Sequence, residues 1–195
     1  MKVSKEVMAE HKEQIVAAAA RRYRERGLDG ISVADLMQEV GLTHGGFYRH
    51  FSSKDELIAL SVLRAVSETI IEWRKIADDA KGDRFGAVVH YYLSLRHHDH
   101  RETGCLAAAL GCELSRLPSP VKEAVTEGER QIIDFLRGIA PGKTKALRRK
   151  QAIVAFASMV GGMTLARMTA RGELRLEILK DVVHAASNGV VCATV

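Results

Sequence analysis

The stretch Ser32–Lys54, SVADLMQEVGLTHGGFYRHFSSK, leaves this chain the fewest choices of structure. Ser32 and Asp35 stand at capping-box spacing, the hydroxyl meeting one orphan amide of a helix start and the carboxylate reaching back to another. Val33, Leu36, Met37 and Val40 recur at i, i+3, i+4 and i+7, the apolar stripe of a helix about two turns long. Gly41 follows where a left-handed cap is needed, with Leu42 placed to close the turn. Thr43 is a good N-cap for a second helix, in which Phe47 and Phe51 face inward while His44, Tyr48 and Arg49 point elsewhere. Ser53 and Glu56 form a second capping box. Lys54 lies in the first turn that follows, against the helix dipole, a position that suits contact with phosphate.

Two helices joined by a tight turn make a helix-turn-helix, whose second helix enters the DNA major groove. The plainer alternative is a small helical hairpin with a glycine-weakened middle. Gly45 and Gly46 each cost roughly 1 kcal/mol of helix propensity against alanine, and close approach of the backbone to DNA gives them a reason. Tyr48, Arg49 and His50 supply hydroxyl, guanidinium and imidazole groups.

The run ISVADLMQEVGLTHGGFYRHFSSKDEL resembles the DNA-binding signature of the TetR/AcrR family of bacterial transcriptional regulators. The resemblance is dense from Ile15 to Leu63; beyond it only length and helical layout agree. It implies a ligand-responsive regulator, more often a repressor, that binds a palindromic operator in double-stranded DNA as a homodimer. The expected DNA-facing set is Ser32, Thr43, His44, Gly45, Tyr48, Arg49, His50 and Lys54. Thr43, Tyr48, His50 and Lys54 are expected at phosphates, and His44, Gly45 and Arg49 at base edges, with Arg49 to guanine the natural chemical pair. His44 departs from the Lys or Arg often found there in the family.

The expected fold class is all-α, with an N-terminal three-helix helix-turn-helix domain (1–54) joined to a larger helical ligand-binding and dimerisation domain (55–195). Aromatics at 5% and only 3 Pro in 195 residues agree with a helix-rich chain. A net charge of +5 favours polyanions. Residues 1–54 hold nine Lys and Arg against seven Asp and Glu, so placement in the fold must do what bulk charge does not. Met1–Gln14 lacks an apolar signal core, and no run approaches the roughly 18 apolar residues of a membrane span. Three cysteines argue against a disulfide framework. A cytoplasmic protein is expected. No local Ser/His/Asp or Cys/His arrangement, phosphate-binding glycine loop or zinc signature suggests an enzyme, a cofactor or a metal.

Taken in order, residues 1–10 are expected to be frayed or to extend the first helix, which runs over about His11–Gly27, burying Ile15, Ala18, Ala19, Arg22 and Tyr23 and carrying a solvated basic cluster at its end. A long helix from Asp55 to about Ala80 leads away from the DNA-binding head, and Arg84–Leu95 forms the next. Arg96–Arg101, RHHDHR, reads as a metal site or a solvated connector, and the connector is preferred for want of helical ligand spacing. A helix over Thr103–Arg116 with Thr103 as N-cap puts Cys105 in the first turn, where the dipole would lower a thiol pKa. Cys105 is then either a small buried hydrophobe or a reactive sensor of electrophiles. Cys112, seven residues on and about 10 Å along the axis, is beyond disulfide reach.

Ser119 and Pro120 are expected as N-cap and N1 of a helix to Ile139. Two last helices, Lys143–Ala170 and Glu173–Ala193, are apolar on nearly every side. Gly161, Gly162, Ala155, Ala157 and Ala166 allow close helix approach, so a homodimer through these two helices is expected. The resemblance implies the same dimer and a small-molecule effector. Candidate effector contacts are Trp73, His90, Tyr91, Cys105, Phe135, Met159 and Met163. The competing readings are an electrophile sensor acting through Cys105 and an interaction module of the same fold.

Overall fold

A serine hydroxyl starts the first helix: Ser4 Oγ accepts from the Val7 amide at 3.3 Å. The structure is a computed structural model and describes residues 4–188. Among these residues the order is α1 (Lys5–Arg26), α2 (Val33–Glu39), a 3₁₀ helix (His44–Arg49), α3 (Lys54–Asp79), α4 (Arg84–Tyr92), α5 (Leu95–Asp99), a 3₁₀ turn (Arg101–Thr103), α6 (Leu106–Leu114), α7 (Ser119–Ile139), α8 (Lys145–Met168) and α9 (Glu173–Asn188), with no strand. The all-α class is therefore observed. Helix α1 starts a turn and a half earlier than its apolar pattern suggested. It buries Ile15, Ala19 and Tyr23, and on an adjoining face Val16, Ala20 and Arg24. The buried arginine is Arg24, at 4% exposure, and not Arg22.

The capping box at α2 forms in both directions. Ser32 Oγ accepts from the Asp35 amide at 3.1 Å, and Asp35 Oδ2 accepts from the Ser32 amide at 3.2 Å. Gly41, at φ +73°, lets the Leu42 amide reach back to Met37 O at 2.8 Å and close the helix. The segment after the turn is 3₁₀ and not α. Two adjacent glycines withdraw the propensity that a six-residue α-helix would need, and short pieces of this kind wind tighter. Thr43 precedes it without a side-chain capping bond. Before α3, Ser53 Oγ accepts from the Glu56 amide, but Glu56 reaches back to the Ser52 amide at 2.7 Å, one residue beyond the expected partner.

Helix α3 carries both hydrophobic clusters. Leu57, Ile58, Val62 and Ala65 pack with α1, α2, Phe47 and Phe51. Further along, Val66, Trp73 and Ala77 pack with α4, α7, α8 and α9. Leu106, Leu110 and Leu114 of α6 and Val121 and Ala124 of α7 belong to the head-side cluster, so head and body share apolar contacts.

Two local expectations fail between α4 and α6. Helix α4 ends at Tyr92, and the RHHDHR run is only partly a solvated connector: Arg96–Asp99 wind into α5, capped by Ser94, and His97 is buried at 7% exposure, while Arg96, Asp99, His100 and Arg101 stay exposed. Thr103 does not open α6. Gly104 is extended, at φ −80° and ψ −176°, and Cys105 is the N-cap residue, outside the first turn. Helix α7 begins one residue earlier than expected, with Pro118 as N-cap.

Helix α8 is long and apolar enough by length and composition to cross a membrane, yet 44% of that apolar window is buried within the fold. Its inward face, Ala152, Ala155, Met159, Gly162, Met163 and Ala166, fills the body core. The expected continuation of α9 to Ala193, and Cys192 with it, lies outside the described residues.

Candidate nucleic-acid interface and ligand cavities

Phe47 and Phe51, each 2% exposed and stacked at 5.2 Å, anchor the 3₁₀ segment to the head. With those two rings inward, the other side chains of the segment must project outward. Thr43, His44, Gly45, Tyr48 and Arg49 are all exposed, Tyr48 to 74%. A Cβ on Gly45 would meet nothing within 4 Å, and neither Gly45 nor Gly46 has positive φ. The chain's own packing and backbone therefore give no reason for glycine at 45.

Three members of the expected DNA-facing set are held by the protein itself. Lys54 Nζ donates to Leu28 O at 3.1 Å and lies 3.4 Å from Asp29 Oδ1. His50 is half-buried, hydrogen-bonded to the backbone of Met8, with its ring 5.9 Å from that of His11; burial and the charges of His11 and Lys12 lower its pKa. Ser32 Oγ donates to Asp35 Oδ2 at 2.6 Å.

The basic cluster at the end of α1 is equally committed. Arg21 and Arg22 both bond Glu39 of α2. Arg24 fans its guanidinium to Ala20 O (2.9 Å), Gly104 O (3.3 Å) and Glu68 Oε2 (2.7 Å). Glu68 is also held by Arg64 of its own helix at 2.7 Å. At the other end of α6, Glu113 Oε2 accepts from the Leu28 amide at 2.8 Å. Helix α6 is thus tied to the head at both ends.

The Gly104–Cys105 peptide is fixed on both sides. Its carbonyl takes the Arg24 bond, and its amide donates to His97 Nε2 at 2.8 Å. His97 Nδ1 in turn lies 2.6 Å from Tyr92 O. Burial pushes the His97 imidazole down to about 4, with smaller contributions from Arg167 and His98. From α8, Arg167 donates to His97 O at 2.7 Å; its Nη1 is buried without a partner, and burial lowers its pKa.

Two cavities meet at Cys105. The larger, about 910 Å³, lies between head and body, walled by Gln14, Arg21 and Arg24 of α1, Glu39 and Val40 of α2, Glu68, Thr69, Glu72 and Trp73 of α3, Tyr91, and the segment from Arg96 to Cys105. The smaller, about 370 Å³ and mainly apolar, is bounded by Val66, Leu106, Gly111, Leu114, Val125, Ile132 and Phe156. Cys105 and Thr69 line both.

Of the expected ligand contacts, Trp73, Tyr91 and Cys105 come together on the larger cavity. The others do not line either cavity. His90 is exposed on α4, Met159 and Met163 are fully buried core residues of α8, and Phe135 packs against Trp73 with ring centroids 6.1 Å apart. No three His, Cys, Asp or Glu side chains converge as metal ligands among the described residues. Sequence reasoning missed Arg24, Glu72, Arg96, Glu113 and Phe156. The Val16–Ala20–Arg24 spacing is the one signal that could have exposed the first of these.

Residues 15–60 match the family model described as bacterial regulatory proteins, tetR family. Among curated relatives, TtgR of Pseudomonas putida, an HTH-type transcriptional regulator, is 36% identical over 66 residues, covering 34% of this chain and 31% of that protein. The transcriptional repressor NemR of Escherichia coli is 21% identical over 128 residues, 64% of each chain. The chain spans between 31% and 40% of the length of the first curated relatives it matches. The solved structure of E. coli NemR in its reduced form is similar in fold, with a TM-score of 0.75 at 20% identity over 95% of this chain and 100% of that one. A tetR-family regulator from Cytophaga hutchinsonii gives 0.76 at 16% identity, covering 98% and 99%.

Proposed function

Because this chain belongs to the TetR/AcrR family of bacterial transcriptional regulators, we propose that it is a DNA-binding regulator of that kind: a cytoplasmic repressor that holds a palindromic operator as a dimer and lets go when a small molecule binds the body. It acts by binding and not by turnover. The observation that carries this reading is the exposed rim of the 3₁₀ segment. Phe47 and Phe51 lock it to the head, while His44, Gly45, Tyr48 and Arg49 face outward and Gly45 leaves room for a second backbone. Arg49 and His44 are assigned to base edges, and Thr43 and Tyr48 to phosphates. Ser32, His50 and Lys54, each bonded within the head, steady the segment.

The dimer reading rests on α8. Ile153, Ala157, Gly161 and Leu165 recur every four residues on its outer side, Met168 continues the stripe, and all are exposed. On α9, Leu174 and Leu176 are exposed as well. An apolar stripe with small residues at its centre is what a two-fold helix pair buries.

The effector is assigned to the cavities that meet at Cys105. A second reading, a thiol sensor, has its own support. Cys105 stands in both cavity walls, and its peptide is tied to α1 through Arg24. Alkylating the sulfur would crowd that tie. The interaction-module reading has no comparable observation in its favour.

Selection of bound sequences from a random DNA pool, repeated with the cysteines alkylated, tests these readings together. A palindromic motif is expected, and no motif would overturn the regulator. Loss of the motif on alkylation, prevented by Cys105→Ser, supports the thiol sensor. Indifference to alkylation leaves a non-covalent effector.

A further inference from the structure

The charges on the wall of the larger cavity are unevenly matched. Arg21 is bonded to Glu39 and Arg24 to Glu68. Glu72, on the same wall, forms no ion pair among the described residues; its partner is the Tyr91 hydroxyl, which donates to Oε1 at 3.3 Å. A half-buried carboxylate in a cavity wall, with, among the described residues, no ion-pair partner and only the Arg96 that shares Tyr91 with it as nearby positive charge, favours a cation as ligand.

The neighbouring surfaces point the same way. Trp73 and Tyr91 line the cavity beside Glu72. The Tyr91 ring already carries a cation, the Arg96 guanidinium carbon at 5.9 Å from its centroid. Donation from the Tyr91 hydroxyl to a carboxylate enriches the ring and strengthens its hold on positive charge. Arg96 is exposed and forms no ion pair among the described residues. It is a weakly held cation on the ring face that an incoming one would use.

We propose that the larger cavity is a site for an organic cation, an amine or quaternary ammonium bearing an apolar group. Its charge is taken by Glu72 and the Tyr91 ring, beside the edge of the core at Trp73, and it displaces Arg96. Gln14 and Val40 place the same cavity against α1 and α2 of the head, so an occupant touches head and body at once. Its role as effector rests on the regulator reading above; the binding itself does not.

Trp73 is the only tryptophan of the chain, which gives the site its own optical probe. Full-length protein is titrated with benzyltrimethylammonium while Trp73 fluorescence is followed, beside the neutral isostere neopentylbenzene and the anion phenylacetate. A saturable change with the cation is expected, at least about tenfold weaker with the neutral compound and absent with the anion. Glu72→Gln should weaken the cation about tenfold and Arg96→Ala should tighten it about threefold, with far-ultraviolet circular dichroism unchanged. Equal binding of the neutral compound, no saturable change, or an unaltered Glu72→Gln affinity overturns the site. Should Glu72→Gln fail to fold, the exposed Arg96→Ala decides: no gain in affinity overturns it. Phenylacetate binding that Arg96→Ala abolishes would also overturn it, marking an anion site. Cation binding that leaves operator affinity unchanged supports the site and removes its effector role.

Discussion

His97 Nε2 accepts the Cys105 amide at 2.8 Å while Nδ1 faces Tyr92 O at 2.6 Å. Because an amide can only donate and a carbonyl can only accept, the ring must be neutral with its proton on Nδ1. One buried imidazole thus joins the end of α4 to the start of α6. Protonation would set an N–H against the Cys105 amide.

Stability should therefore fall in mild acid. Folded His97 takes its proton near 4 and the unfolded residue near 6.5. Between those values the unfolded chain binds more protons, so acid favours unfolding. The contribution is complete above about pH 6.5 and fades as pH drops toward 4, on the order of 3 kcal/mol in all. Urea midpoints of the protein and of His97→Gln, taken across this range, check it. Parallel pH slopes would remove His97 as the cause.

Arg24→Met should cost about 3 kcal/mol, because it strips Gly104 O and Glu68 of a buried partner at once. Arg24→Lys should recover little, since a single ammonium cannot span the three acceptors that the guanidinium fork meets. Hydrogen exchange at the Cys105 amide should quicken in both variants. Full stability in Arg24→Lys would show that only the charge matters.

Arg49 and Lys54 should part company on DNA. Arg49→Ala is expected to lose about 1–3 kcal/mol on the selected operator and to relax discrimination at one base pair. Lys54→Ala removes bonds to Leu28 O and Asp29, so a loss of head stability of about 1 kcal/mol or less is expected, with the salt slope of binding kept. Binding isotherms at several salt concentrations separate the two. A slope reduced by about one in Lys54→Ala would restore it as a phosphate contact.

Adjacent glycines of α8 offer a test of the dimer face. A Cβ at Gly162 would lie 2.9 Å from Val182 Cγ1 of α9, so Gly162→Ala should destabilise the subunit by about 1–3 kcal/mol. At Gly161 nothing lies within 4 Å, and alanine there should raise helix stability by about 1 kcal/mol if the residue faced only water. On the proposed dimer stripe, it should instead shift the monomer–dimer equilibrium toward monomer. Sedimentation equilibrium reads this directly, and an unchanged dimer would move the interface off that face.

What the sequence determined by itself was the local grammar. The Ser32–Asp35 box, the Gly41 turn, the Phe47–Phe51 anchor and the helical stripe of α3 involve residues within a few positions of one another, where backbone geometry alone decides which side chains meet. Trp73, Tyr91 and Cys105 were named among seven candidates and share one cavity wall, but aromatic or sulfur character alone did not separate them from His90, Phe135, Met159 and Met163. What only the tertiary structure decided were bonds between groups far apart in the chain. Arg24 looked like one of four solvated arginines until Gly104, 80 residues on, accepted its hydrogen bond. The RHHDHR run looked solvated until packing against Tyr92 and Cys105 drew His97 inward, and Met159 and Met163 looked like pocket residues until the inward face of α8 filled the body core. Polarity indicates which groups need a partner or need burial, but the choice between water, a ligand and a distant backbone carbonyl is made by whichever the fold brings within reach.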